Sequence, residues 1–131
     1  MIGLDTNVLV RYIMQDDVKQ SPKANRLIES LTAESPGFVP LVALIELVWV
    51  LASCYDLTRQ QLGQALDALL HTNTLMVDRA EQVAQALRVF NAGQADFADC
   101  LIERTACGAG CDKTFTFDVG ASKAAGMSLV S

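Results

Sequence analysis

Paired cysteine and histidine ligands are missing from this chain. It has four cysteines but no C-x-x-C pair, and a single histidine, His71, far from most of them in sequence. Zinc centres are built from such pairs, so Cys54, Cys100, Cys107 and Cys111 read instead as reduced thiols of a cytoplasmic protein. No Ser-His-Asp or Cys-His arrangement can be traced, and no glycine-rich phosphate loop is present. Basic runs are also lacking. The ten lysines and arginines are spread along a chain of net charge −5, which argues against coating duplex nucleic acid through clustered cations but not against gripping a phosphodiester through bound metal ions. The longest apolar stretch, Phe38 to Ala52, is interrupted by Pro40 and Glu46 and falls short of the roughly 20 residues a membrane span requires. The N-terminus has neither a basic start nor a long apolar segment, since Asp5 comes too early; a cytoplasmic location with no membrane association is expected. The three prolines and eight glycines are scattered, without linker, repeat or low-complexity run, so residues 1–131 are expected to form a single domain. At 51% hydrophobic residues, it can bury a continuous core without staples.

What is present is an alternation of short apolar runs and helical stripes. Ile2-Gly3-Leu4 reads as a buried strand that ends in Asp5-Thr6-Asn7, after which Val8, Leu9, Tyr12 and Ile13 take up helical spacing. Ser21-Pro22 has the form of an N-cap with proline at the first helical position, opening a helix that carries Ala24, Leu27, Ile28 and Leu31 and runs to about Glu34. Phe38-Val39 is a short strand. From Leu41 to Ala52 eleven of twelve residues are apolar, as in a helix buried on nearly all sides. Thr58 is placed to cap the helix of Leu62, Leu66, Leu69 and Leu70; Leu75 to Val77 is a third strand, with Asp78 a cap for the helix of Val83, Ala84, Leu87 and Phe90. A helix from Asp96 onward, a strand at Thr114 to Thr116 and a last one at Ser128 to Val130 complete the chain. This alternation implies an α/β fold with a mainly parallel sheet.

Five acids stand at telling places. Asp5 and Asp118 each lie just past a short strand, where ligands bind in open α/β sheets. Asp96 and Asp99, three apart at a helix start, can share a face. Glu46 is the one charge in its apolar helix, where an unpaired carboxylate would cost several kcal/mol; it is expected to be neutral, paired or metal-bound. Crowded carboxylates are relieved by protonation or by cations, and all-oxygen donors suit Mg²⁺ or Mn²⁺. Each acid by itself has a plainer reading, as a helix cap for the aspartates and as a solvent-facing residue for Glu46.

Taken together, Gly3-Leu4-Asp5-Thr6-Asn7-Val8-Leu9, Glu46, Asp96-Phe97-Ala98-Asp99 and Thr116-Phe117-Asp118 resemble PIN-domain ribonucleases, specifically the VapC-type toxins of toxin–antitoxin pairs. The resemblance covers essentially the whole chain. It implies a three-layer α/β/α sandwich around a central, mainly parallel sheet, and Mg²⁺- or Mn²⁺-dependent endonucleolytic cleavage of RNA by metal-activated water. It also implies a homodimer and a cognate VapB-type antitoxin. By position, Asp5, Glu46 and Asp99 match the three main catalytic and metal-binding acids and Asp118 the fourth. Asp96 is the alternative to Asp99, and Thr6, Asn7 and Thr116 are the supporting polar residues. The chain departs from the family after Asp118, where Val119-Gly120-Ala121-Ser122 stands in place of a frequent aromatic. Two other readings compete: a HAD-like phosphatase, which needs a second aspartate where Asn7 stands, and a non-catalytic PIN binding module.

Overall fold

The computed structural model describes residues 1–131, which form two compact units, Met1–Asp78 and Arg79–Ser131. The first runs β1 (Ile2–Gly3), α1 (Thr6–Met14), α2 (Gln20–Glu29), β2 (Gly37–Val39), α3 (Leu41–Ser53), α4 (Arg59–Leu70) and β3 (Leu75–Val77). The second runs α5 (Ala80–Ala92), α6 (Phe97–Gly108), β4 (Phe115–Thr116), α7 (Val119–Ala124) and β5 (Ser128–Leu129). All pairings are parallel, as the strand–helix alternation requires: β1-β2-β3 in one ladder and β4-β5 in another. The fold class is that of an α/β sandwich.

In the first unit the sheet register is set by close packing. Gly37 lies opposite Ile2, and a Cβ there would come within 2.7 Å of Leu4 and 2.9 Å of Leu31; with glycine both leucines close over the strand without shifting. Leu4 N–H then donates to the Phe38 carbonyl at 2.9 Å, carrying the ladder up to the residue before Asp5. Leu9, Val39, Leu44, Leu47 and Leu51 are buried against one another's elements and form the centre of this core. In the second unit Phe90 and Phe97 meet edge to face at 5.8 Å, a favoured aromatic geometry, among Val83, Leu87 and Leu101.

Several local readings change. The helix predicted to run to Glu34 stops at Glu29, because Leu31 turns into the core and Thr32 closes a turn by accepting from Ser35 N–H. Its cap is Asp17, which accepts from the Lys19 and Gln20 N–H groups at 2.9 and 2.7 Å; these bonds to the ionised form hold the Asp17 carboxyl below its ordinary value. Ser21 is instead buried and donates to the Arg11 carbonyl at 2.9 Å, fastening α2 to α1. Asp78 does not cap the helix after it. Its carboxylate accepts from Leu41 N–H at 3.2 Å, capping α3, whose own N-cap position is occupied by Pro40 with no side-chain acceptor to offer. Thr58 does cap α4, in a reciprocal capping box with Gln61. The helix α3 is not buried all round. Val42 is 71% and Trp49 64% exposed, and Ile45 and Glu46 lie on the same outer face, so composition alone misjudged its burial.

Leu47 is fully buried, and Leu47→Ala should cost about 2–5 kcal/mol in urea unfolding, whereas Thr58→Ala, which loses only the cap, should cost about 1 kcal/mol.

Candidate active site

Asp5 occupies the N-cap position of α1 with extended backbone, φ −80° and ψ 157°, yet its side chain accepts no capping hydrogen bond. Only its carbonyl is used, by the N–H groups of Val8 and Leu9. The carboxylate, two residues beyond β1 and exposed, is therefore unspent. The next residue, Thr6, is buried, and its hydroxyl lies 3.1 Å from the Ala43 carbonyl and 3.3 Å from Glu46 Oε2. One hydroxyl carries one proton, so Thr6 donates to either acceptor in turn. It thereby links the exit of β1 to the turn of α3 that bears Glu46. Glu46 is exposed, so the plainer solvent-facing reading of its burial is the correct one, and the expected desolvation cost does not arise.

In the second unit Asp96 caps α6, accepting from Ala98 N–H at 3.3 Å. Asp118, two residues past β4, caps α7 by accepting from Gly120 and Ala121 N–H at 2.7 and 3.3 Å. The Val119-Gly120-Ala121 segment thus turns the carboxylate onto its own helix. Thr116 supports that loop through the backbone: its hydroxyl accepts from Asp118 N–H at 3.0 Å. Asp99 is half-buried in the first turn of α6 and receives no hydrogen bond from the protein. Its partial burial, then the charges of Asp96 and Asp118, push its carboxyl above the ordinary value of 3.8. Asp96 and Asp118 are accordingly both within electrostatic range of Asp99.

The predicted acids therefore fall into two kinds. Asp96 and Asp118 are compensated by backbone donors; Asp5 and Asp99 by none, and Glu46 only by Thr6. None of the five enters an ion pair, the ion pairs being Arg11–Asp16, His71–Asp67 and Arg104–Glu103. The donor chemistry, oxygen only, fits Mg²⁺ or Mn²⁺ and not zinc. No three acid, thiol or imidazole groups are gathered closely enough to hold a metal ion. Asn7 points to other work: its Nδ2 reaches Gln20 Oε1 at 3.5 Å. A cleft of about 310 Å³ lies between α1 and α2, lined by Asp5, Asn7, Arg11, Gln20, Lys23 and Leu27 among others. It escaped the sequence reading, though Asn7 with Arg11, and Gln20 with Lys23 and Leu27, have the spacing of residues on one helix face.

The chain belongs to the PIN-domain family, whose profile matches residues 2–127. It is similar to the VapC ribonuclease of Aquifex aeolicus (strain VF5), with 26% identity over 99 residues, covering 75% of this chain and 73% of that protein. The family match removes the HAD-like phosphatase alternative. No helix is long and apolar enough to cross a membrane.

The sign of the Asp99 effect can be tested without metal. A carboxyl raised in the folded state stabilises the fold while protonated, and that contribution is lost as pH rises from 3.8 through the raised value. Asp99→Asn should therefore melt higher than the parent in EDTA at about pH 7, with the difference vanishing below about pH 4; thermal melts across that range read it out.

Proposed function

We propose that residues 1–131 work as one PIN domain, a metal-dependent endoribonuclease and the toxin of a VapBC-type pair. The observation that carries this is the division among the acids. Asp5, Glu46 and Asp99, left without backbone donors, are the three that the family resemblance assigns as the principal metal ligands, while Asp96 and Asp118 are occupied as caps and take a supporting role. The similarity to a VapC ribonuclease supports RNA as the substrate. In this reading Asp5, Glu46 and Asp99 are the residues that would hold Mg²⁺ or Mn²⁺, with Asp118 as the fourth acid of the set. When bound, such an ion polarises the phosphoryl oxygens and lowers the pKa of water. The chain's own contribution is positioning. Thr6 restrains the Glu46 carboxylate, and the partial burial of Asp99 raises the energy of its charged form, so that a cation is favoured there once the proton has left.

The partners proposed are a VapB-type antitoxin and a second copy of the chain, in the cytoplasm. Val42, Ile45 and Trp49 form an apolar face on α3 that is open to solvent, and such faces usually mark interfaces.

The mechanism predicts that Asp5→Asn lowers cleavage of a mixed RNA pool by at least about 100-fold without lowering the melting temperature, since the Asp5 side chain bonds nothing in the fold. EDTA should abolish wild-type cleavage, and Mg²⁺ or Mn²⁺ should restore it. Activity that survives both EDTA and Asp5→Asn would exclude the metal-nuclease mechanism. Thr6→Val, which keeps shape but loses the hydroxyl, should cost about 10- to 100-fold in activity or metal affinity, with Thr6→Ser restoring most of it. A Thr6→Val enzyme of full activity would remove the positioning role.

A further inference from the structure

We propose that the cleft between α1 and α2 is a subsite for one nucleotide of a single-stranded RNA, next to the phosphate that is cut; this rests on the nuclease reading of Asp5. The cleft is lined by Asp5, Asn7, Arg11, Gln20, Lys23 and Leu27, with Val8 and Ala24 completing its apolar wall, and its volume is about 310 Å³, within the lower range of small-ligand sites. The walls are pre-formed. Ser21 bonds the Arg11 carbonyl, and Gln15 and Asn25 exchange side-chain hydrogen bonds at 2.6 and 2.9 Å, so α1 and α2 are joined at both levels.

The polar groups are arranged for a base and a phosphate. Arg11 Nε donates to Gln20 Oε1 at 2.7 Å and Asn7 Nδ2 approaches the same oxygen at 3.5 Å, which fixes the Gln20 amide and leaves its Nε2 donors unspent. Asn7 keeps a free Oδ1 acceptor. A carboxamide donor beside a carboxamide acceptor matches the edge of a nucleobase, on which acceptor and donor alternate. Arg11 itself is committed, to Asp16 at 3.5 Å and to the Tyr55 hydroxyl at 3.2 Å. Lys23 has neither an ion pair nor a hydrogen bond, so it is the cation of the cleft available to a phosphate. An apolar wall, an unspent amide edge, a free ammonium group and a proposed catalytic acid at the rim together fit a nucleotide better than an apolar peptide.

The test uses the full chain carrying Asp99→Asn, so that RNA binds without being cut, with fluorescein-labelled single-stranded RNA octamers of A, C and U in EDTA. Adding Lys23→Ala should weaken every octamer by about 5- to 10-fold at 50 mM salt, and reduce the slope of log Kd against log salt by about 0.7, one phosphate contact on a single strand. Gln20→Leu should weaken the three octamers unequally and leave the slope unchanged. Lys23 has no partner to lose, so equal melting temperatures are expected and identify a folded variant. In the Asp99 wild-type background, Lys23→Ala should raise KM for RNA cleavage by a similar factor, with the larger change in KM and the smaller in kcat. Parent-like affinity and salt slope in both variants would overturn the subsite and leave the cleft to a peptide partner, while cleavage by the wild type still upheld the nuclease. An RNA affinity that depends on Lys23 in a wild-type chain that never cleaves would reject the nuclease and, with it, the place of the subsite next to a cut phosphate, leaving only an RNA-binding cleft. Failure of the parent to bind any octamer would overturn the subsite, while the nuclease reading stands or falls on wild-type cleavage.

Discussion

Thr6 is buried immediately after Asp5, and buried hydroxyls must find partners. Its partners lie 37 and 40 residues away, at Ala43 and Glu46, so one proton connects the end of the first strand to the middle of α3. That connection holds only in one register of the sheet. Gly3 must pair with Phe38, and Leu4 N–H must reach the Phe38 carbonyl, while Gly37 leaves space for the Leu4 side chain. A slip of one residue would shift the start of α1 against α3 and take Thr6 away from Ala43 and Glu46. An exposed carboxylate is thus tied to the interior, through a buried hydroxyl and the register of β1 on β2.

The same economy of hydrogen bonds sorts the aspartates. Asp5 and Asp118 occupy equivalent local positions, two residues past a short parallel strand and at the N-cap of a helix. Asp118 turns onto two backbone N–H groups, and Asp96 onto one. A carboxylate held in that way has its charge offset by the helix N-terminus and is a poorer candidate for an added cation. Asp5 and Asp99 have no such relief. For Asp99 the consequence is visible in its raised carboxyl, caused first by burial and then by its acidic neighbours. Its charged form is disfavoured there, and a proton or a cation would relieve it; that is the physical link between the fold and the proposed chemistry.

The first unit adds a second use of paired helices. Asn7, Arg11 and Gln20 are bonded to one another across the α1–α2 boundary, while Lys23 is left free beside them. The polar face that they make is continuous with Asp5 and would bring substrate recognition and the metal ligand onto one rigid element, where geometry is better kept than on loops.

Much of this was legible in the residues taken in order. The strands at Ile2, Phe38 and Leu75, the helix stripes between them and the Thr58 cap depend on near neighbours, and local periodicity or spacing is enough to specify them. So were the positions of the acids and their match to the PIN family. Other features were misread because they depend on partners distant in the chain. Leu41 takes its cap from Asp78, 37 residues on; the capping role given to Ser21 belongs to Asp17, since Ser21 is drawn into the contact with α1; and the outward face of α3 could not be seen in a run where almost every residue is apolar. The sequence by itself determined which acids are present and where along the strands and helices they stand. Only the tertiary structure decided which of them are consumed by backbone donors and which remain free, because a carboxylate's hydrogen bonds depend on which N–H groups the folded backbone presents to it.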